Sequence, residues 1–242
     1  MTNDGSQATV ISFGLHARRS LRMTLHKRIT NPYITSERAL SFGDFGQAGT
    51  GELPQIQGSR FAVMDAHRVV SSSHIAVAAS SALLRMEKWE ASIKMRDDDE
   101  KFVLSRRGVA LETVLCASGS THVANAMRTY AFHSTDKSSP SSSASGAATG
   151  KEISRDNNQT SFDVLVLGFD CTDNEYKEFL NELGLDSGTS KDEMERYLTR
   201  DRLQSEIQDL MKIYKITKEE MEMEGSSLER AVITRVASKF VV

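Results

Sequence analysis

LETVLCASGSTHVANAMRTYAF, the stretch from Leu111 to Phe132, holds two short apolar runs on either side of the tripeptide Ser118-Gly119-Ser120. Within each run the apolar residues recur at the spacing of an amphipathic helix. They are Val114 and Leu115 before the tripeptide, and Val123, Met127 and Tyr130 after it. The stretch therefore predicts two packed helices that meet at a tight corner.

The residues of this corner suit a sharp change of direction. Gly119 can adopt a positive φ without steric cost, and Ser120 or Thr121 can cap the second helix by accepting hydrogen bonds from its first amides. Hydroxyls, amides and His122 would then lie at a helix N-terminus, where an anion or a phosphate can bind. The simpler interpretation, a helix corner that binds nothing, accounts for the same spacing.

The composition is that of an ordinary globular protein. A chain of 242 residues fits one core domain with irregular additions. The two cysteines, Cys116 and Cys171, stand in apolar runs, which favours a reducing, intracellular setting over a disulfide framework or a cysteine zinc site. No apolar run reaches the roughly 18 residues that a membrane-spanning helix needs, so we expect a soluble protein without an anchor.

Charge is distributed unevenly along the chain, whose formal net charge is −3. Residues 1–133 carry a balance of +4 and residues 134–242 a balance of −7, which together give that total. Two halves of opposite sign are compatible with two partners, one polyanionic and one basic. Solvated faces of a globular protein account equally well for an imbalance of this size.

Alternating apolar residues predict two strands over residues 8–15 and 20–29, joined by a hairpin loop, and a third strand at Phe61–Met64. The almost wholly apolar run Phe162–Phe169 predicts a central strand that is covered on both faces. We expect the second face of the second strand to be solvated. Its residues are Arg22, Thr24, His26 and Arg28.

A helix is predicted after the serines at 71–73, which can cap its first amides. The charged residues 87–107 predict an irregular excursion, and its four adjacent acids at 97–100 lack the ligand spacing of a calcium loop. We expect one helical turn at residues 31–41, a surface loop at residues 42–59 and a flexible low-complexity insertion at residues 134–160.

We predict that the C-terminal third of the chain is helical. Three residue pairs there match the capping-box pattern, and two glycines mark helix ends. The pairs are Thr172 with Glu175, Ser190 with Glu193 and Thr217 with Glu220, and the glycines are Gly184 and Gly225. The predicted fold class is α/β, of the α+β kind. We expect residues 1–242 to form a single domain with a small central mixed β-sheet flanked by helices.

Local motifs for catalysis are absent. The sequence contains no G-x-x-x-x-G-K-[ST], G-x-G-x-x-G, H-E-x-x-H, G-x-S-x-G or C-x-x-C, and we predict no catalytic residue, no cofactor and no metal site. An alternative is a small hydrolase or acyl transferase that uses the Ser118-Gly119-Ser120 corner and His122 with Cys116 or Glu112. The ordinary interpretation makes Cys116 a buried structural cysteine, and makes Glu112 an ion-pair or capping partner of Arg107 or a nearby amide.

Four segments, in this order, resemble one known family. They are FAVMDAHRVVSSSHIAVAASSALL from Phe61, RRGVALETVLCASGSTHVANAMRTYAF from Arg106, FDVLVLGF from Phe162, and a tail that begins KIYKIT and ends LERAVITRVASKF. Over roughly residues 8–133 and 162–242 the chain is similar to the PRPK-binding subunits of the EKC/KEOPS complex, the TPRKB family. The insertion at 134–160 departs from compact members.

The resemblance implies a non-catalytic subunit. Such a subunit binds the small atypical kinase of KEOPS, which docks in turn on the threonylcarbamoyltransferase subunit. The complex makes threonylcarbamoyl-adenosine on ANN-decoding tRNAs, and the resemblance implies that this subunit helps to capture tRNA by its single-stranded 3′ CCA end. It also implies a cytoplasmic and nuclear protein with a part in telomere maintenance. A scaffold that binds protein only is a further alternative.

The resemblance also suggests where the two contacts lie. Single-stranded ends are held by basic side chains and helix N-terminal amides, so we assign the tRNA contact to the corner and to basic residues expected beside it. The predicted tRNA-binding residues are Arg85, Lys88, Arg106, Arg107, Ser118, Gly119, Ser120 and His122. Of these, Arg107 and Ser118-Gly119 match the family's pattern, and the others are assigned by expected proximity. The predicted kinase-contact residues are Tyr214, Ile216, Leu228, Arg235 and Phe240.

Overall fold

The computed structural model describes the residues that form the sheet and the helices around it. The described ranges are 8–13, 19–30, 60–94, 108–120, 122–130, 162–186, 188–225 and 227–239. The turn predicted at 31–41, the loop at 42–59 and the insertion at 134–160 lie outside these ranges. Within them, four strands and eight α-helices build the mixed helix-and-sheet fold that the sequence predicts.

The strands form one sheet in the order β1-β2-β4-β3. Their bounds are β1 Thr9–Phe13, β2 Arg19–Ile29, β3 Phe61–Asp65 and β4 Phe162–Phe169. The sheet was expected to be mixed, but every pairing among the described strands is antiparallel. The reason is that β4 lies between β2 and β3 and runs opposite to both.

Strand β4 is central, as its apolar run predicts. Successive side chains point to opposite faces of a strand, so its residues divide between two hydrophobic cores. Leu165, Leu167 and Phe169 enter the larger core, whereas Val164 and Val166 enter the smaller one. All five are fully buried. A strand that is covered on both faces needs no alternating polar residues, which explains the continuous apolar sequence.

Helices cover both faces of the sheet. The larger core is closed mainly by α1 Ser72–Lys94, α2 Val109–Ala117 and α3 Val123–Tyr130, together with α6 Gln204–Tyr214 and α8 Leu228–Lys239. Helix α5 Lys191–Leu198 adds Met194 and Leu198 to that core, and the short α7 Lys218–Met223 packs on α8. The smaller core is closed by α4 Asp173–Glu182. No helix in the described parts of the chain is long and apolar enough to cross a bilayer.

The second face of β2 is buried in its middle, so the expectation of a solvated face is wrong at Thr24 and His26 but holds at Arg28, which is exposed. Thr24 and His26 are almost fully buried there. The hydroxyl of Tyr176 on α4 donates to the carbonyl of Val166 at 2.9 Å and lies 2.9 Å from Thr24 Oγ1. Burying polar residues is acceptable because these groups satisfy one another.

Helix α1 is longer than the sequence predicts. It continues to Lys94, so the residues from 87 to 94 are helical instead of irregular. Met, Glu, Lys and Ala are strong helix formers, and their intrinsic preference outweighs the high local charge. The rest of the expected excursion, residues 95–107, lies outside the described residues.

Two of the three predicted capping boxes and both predicted glycine ends are confirmed. Capping boxes form at Thr172 with Glu175 and at Thr217 with Glu220. Ser190 accepts from the Glu193 amide, which is one half of the predicted box, and Ser71 Oγ accepts from the His74 amide at 3.1 Å. Gly184 and Gly225 have φ angles of +70° and +65°, which glycine adopts without strain.

Substituting Gly168 with alanine should destabilise the protein, because a Cβ there would lie 2.7 Å from the ring of Tyr176 and 2.9 Å from Cys171 Sγ. Overpacking of a well-filled core typically costs about 1–3 kcal/mol. Urea unfolding should give that loss for Gly168→Ala. Ser12→Ala on the exposed edge strand should change the free energy of unfolding by no more than about 0.5 kcal/mol. Equal stability of the two variants would contradict the close contact.

Candidate functional site

The corner between α2 and α3 has the predicted geometry. Gly119 has a φ of +58°, and its amide donates to the carbonyl of Cys116 at 3.1 Å. Helix α3 begins at Val123, and the amide of Ala126 donates to the carbonyl of His122 at 3.0 Å. The two helices therefore meet at a tight turn that needs a glycine.

The two serines of the corner have different environments. Ser118 is buried, and its hydroxyl donates to the Leu115 carbonyl at 2.7 Å and accepts from the Ser120 amide at 3.0 Å. Ser120 Oγ accepts from the amide of His122 at 3.1 Å, one residue before α3 begins. Ser120 therefore holds the entry to α3 without capping a helix amide, and Thr121 lies outside the described residues. His122 is exposed, so Ser120 and His122 present the polar groups of the corner.

Below the corner lies a buried network of hydroxyl groups. The hydroxyl of Tyr130 donates to that of Tyr214, which donates to the carbonyl of Arg68 at 3.1 Å. Burial raises the pKa of both phenols, so both remain neutral. A Cβ on Gly119 would lie 3.5 Å from the Tyr214 ring, which means that the corner rests directly on this side chain.

His74 joins the same network to the corner. Its Nε2 lies 3.0 Å from the carbonyl oxygen of Ala117 and 3.3 Å from the hydroxyl of Tyr214. Burial lowers the pKa of His74 to about 4, so the ring is neutral near pH 7 and donates from Nε2 to Ala117. The other nitrogen, Nδ1, is buried without a hydrogen-bond partner. Protonation would therefore add a positive charge and an N–H group at Nδ1, which has no hydrogen-bond acceptor among the described residues.

The geometry gives no support to a nucleophile in this region. Burial, with a smaller effect of the nearby Glu112 carboxylate, raises the pKa of the Cys116 thiol to about 12. A reactive cysteine needs the opposite shift, because the thiolate is the nucleophile. Glu112 is itself largely buried and pairs with Arg85 Nη1 at 3.1 Å, which makes it the ion-pair partner of Arg85.

Arg85 and Lys88 lie on the part of α1 that leads away from the corner. His74 near the start of α1 contacts Ala117 at the end of α2, whereas Arg85 contacts Glu112 near its start, so the helices are antiparallel. At about 1.5 Å per residue, Arg85 lies about 16 Å along α1 from the level of His74, and Lys88 about 21 Å. The expectation that both residues adjoin the corner is therefore wrong for Lys88, whereas the side chain of Arg85 reaches Cys116, two residues before Ser118. Their role in binding tRNA stays a prediction.

The predicted arginine pair Arg106 and Arg107 lies outside the described residues. In the chain the pair directly precedes Gly108, the residue before α2. That is the end of α2 where Glu112 pairs with Arg85.

Two of the predicted kinase-contact residues belong to the core. Tyr214 and Ile216 are buried, because Tyr214 holds the hydroxyl network and Ile216 packs beside it. Leu228 is half-buried against the core, and the side chain of Arg235 is 33 % exposed. Phe240 lies outside the described residues. Of the five, Leu228 and Arg235 are therefore the described residues that a partner could touch.

A polar cluster beside the turn that follows β3 was missed in the sequence. The hydroxyl of Tyr197 on α5 donates to Asp163 Oδ2 at 2.7 Å, and the Arg200 guanidinium stacks 4.2 Å from the centre of the Tyr197 ring. Arg200 Nη2 lies 3.2 Å from His67 Nδ1 and 3.4 Å from Glu206 Oε1. These residues come from distant parts of the chain and form no local motif. Among the described residues, no group of three potential ligands is arranged to hold a metal ion.

A family model described as kinase binding protein CGI-121 matches residues 53–240. The match covers more than half of the chain and runs from before β3 to past the end of α8. The chain belongs to this family. Among curated proteins, none is significantly similar to the chain.

Membership in the CGI-121 family confirms the resemblance to TPRKB. It also gives the coarse function, because members of the CGI-121 family are kinase-binding proteins. The corner, the hydroxyl network and helices α6 to α8 all lie within the residues that the CGI-121 family model matches, whereas β1 and β2 precede them.

Replacing Tyr214 with phenylalanine should destabilise the protein by about 1–3 kcal/mol, because a hydroxyl with several buried partners is lost. The double variant Tyr130→Phe/Tyr214→Phe should lose less than the sum of the two single variants, since it removes both members of one hydrogen bond. Urea unfolding of the four proteins measures both effects. Strict additivity would show that the two hydroxyls are not coupled.

Stability should also fall on acidification through His74. The folded pKa of about 4 lies below the usual value of 6.5, so the unfolded chain binds the proton more readily and the contribution is lost as the pH falls below 6.5. The shift corresponds to about 2 kcal/mol between pH 7 and pH 5. The stability difference between wild type and His74→Gln should shrink by that amount. A difference independent of pH would contradict the low pKa.

Proposed function

We propose that the protein is a non-catalytic subunit of the EKC/KEOPS complex. It binds the small atypical kinase of that complex, contacts the threonylcarbamoyltransferase subunit indirectly through the kinase, and helps to capture tRNA by its 3′ CCA end for threonylcarbamoyl-adenosine modification. The observation that carries the proposal is the match of residues 53–240 to a family of kinase-binding proteins. The proposed location is the cytoplasm and the nucleus, where tRNA is made and used.

The side chains near the corner favour a binding role over a catalytic one, because neither a free hydroxyl nor a thiolate is available among its described residues. The Ser118 hydroxyl forms hydrogen bonds with two backbone groups of the corner, and the raised pKa of the Cys116 thiol keeps it protonated. Ser120 pairs with the backbone of His122, which leaves the imidazole without a role as its general base. The hydrolase or acyl-transferase alternative therefore has no geometric support.

The tRNA contact is proposed along the antiparallel pair of α1 and α2. The exposed imidazole of His122 marks one end, and the exposed Lys88 lies toward the other. A single-stranded nucleic acid binds by phosphate contacts to basic side chains and by stacking of bases on planar groups, so an extended end could use both. The separation along α1 means that one ligand must run along the helices to reach both ends.

Two assays with the purified chain test the proposal. The chain should co-elute with the KEOPS kinase, and it should shift intact tRNA in a gel more strongly than tRNA that lacks its CCA end. Failure of both assays would overturn the proposal. Kinase binding with unchanged tRNA mobility would leave a protein-only scaffold.

Reversing the charge of Lys88 should weaken tRNA binding and leave kinase binding intact. Loss of one phosphate contact reduces the slope of log affinity against log salt by about 1. Lys177→Glu makes the same charge change on the exposed surface of α4, across the sheet, and should leave the slope unaltered. Fluorescence anisotropy with labelled tRNA at several salt concentrations measures the slope, and equal slopes for Lys88→Glu and Lys177→Glu would contradict the assignment.

A further inference from the structure

Three basic side chains gather where the ends of α6 and α8 meet, and we refer to Lys215, Arg235 and Lys239 as the basic patch. Arg235 Nη2 donates to the carbonyl oxygen of Lys215 at 3.1 Å, which fastens the last turns of α8 to the end of α6. Lys239 lies four residues after Arg235 and therefore on the same face of α8. Lys215, which ends α6 with a φ of +55°, is exposed.

The positive charges of the patch crowd one another. The pKa of Lys239 lies below its usual value, first because the side chain is partly buried and then because Lys215 and Arg235 are close. Arg235 also pairs with Glu220 on α7. Among the residues that the structure describes, no carboxylate forms an ion pair with Lys215 or Lys239.

The helix macrodipole explains only part of this arrangement. A lysine near the C-terminus of a helix is ordinary, because the helix end carries partial negative charge. That effect does not require two helix ends to be fastened together, nor Lys239 to be partly buried beside two other cations. The electrostatic repulsion among the three cations falls when an anion binds beside them. Such crowding is typical of a surface that binds a negatively charged partner.

The surroundings of the patch select the kind of anion. Helix α7 packs on α8, and it carries acidic residues at positions 219, 220 and 222, followed by Glu224. Thr234 of α8 donates to Glu224 at 3.2 Å, so these acids border the patch. A long polyanionic tRNA backbone would be repelled by this border. A short acidic segment of a protein can direct a few carboxylates at Lys215 and Lys239 without running along the border.

We propose that the basic patch receives an acidic segment of the kinase that this subunit binds, with Lys215 and Lys239 pairing with Asp or Glu side chains of the partner. The inference rests on the proposed function for the identity of the partner. It differs from the expectation drawn from net charge, which placed a basic partner against the acidic C-terminal half of the chain.

Cross-linking tests the pairing directly. A carbodiimide joins a lysine amine to a carboxylate in contact with it, with loss of water to the reagent, and so it should link Lys215 or Lys239 of the full-length chain to Asp or Glu of the kinase. Affinity gives a second measurement. Lys215→Glu and Lys239→Glu should each weaken kinase binding by about fivefold or more at low salt, and high salt should reduce the difference.

Controls separate this inference from the proposed function. Lys177→Glu on α4 should bind the kinase like wild type, and thermal unfolding should show that all variants are folded. Wild-type affinity in both patch variants, with no cross-link at either lysine, would overturn the inference while leaving kinase binding intact. If the wild-type chain fails to bind the kinase, the proposed function is contradicted. The inference is then contradicted as well, because it names the kinase as the occupant of the basic patch. Weaker tRNA binding with unchanged kinase binding would identify nucleic acid as the occupant and contradict the inference.

Discussion

The hydroxyl of Tyr214 is the point on which the helical layer depends. It accepts a hydrogen bond from Tyr130 on α3, donates to the Arg68 carbonyl in the turn after β3, and adjoins His74 on α1. Four separate segments are thereby fixed relative to one another inside an otherwise apolar core. A buried hydroxyl that lost these partners would be costly, so the network specifies one arrangement of the helices and rejects shifted ones. The corner with Gly119 packs on the same Tyr214 ring, so the ring also sets the position of the corner.

Local signals in the sequence were sufficient for much of this fold. The continuous apolar run of β4, the capping boxes and the glycine of the corner each act within a few residues, and each was predicted. What failed depends on distant parts of the chain. The burial of Thr24 and His26 requires Tyr176, which arrives from α4 far along the chain, and the antiparallel sheet requires β4 to insert between two earlier strands. Periodicity along one segment carries no information about which segment will cover it.

The candidate site was harder to predict because sequence proximity and spatial proximity differ along paired helices. Arg85 and Lys88 are expected beside the corner, whereas α1 runs antiparallel to α2 and carries the backbones of both residues away from the level of Ala117. Burial decides other assignments. Tyr214 and Ser118 have side chains that suit a contact surface, yet both direct their polar atoms at the protein itself. The residues left to meet a partner are those whose polar groups are not already used by the fold.

Charge counted over long segments hides the arrangement that a partner meets. The C-terminal half of the chain is acidic, and α7 accounts for several of its carboxylates, but the fold brings Lys215 and Lys239 together at one end of α8. The field near a surface depends mainly on charges within about 8 Å at physiological salt, so such a cluster acts locally despite the opposite net charge. An acidic segment flanked by basic groups would complement the basic patch and its acidic border better than a partner of uniform sign, and such a pattern also fixes the register of docking.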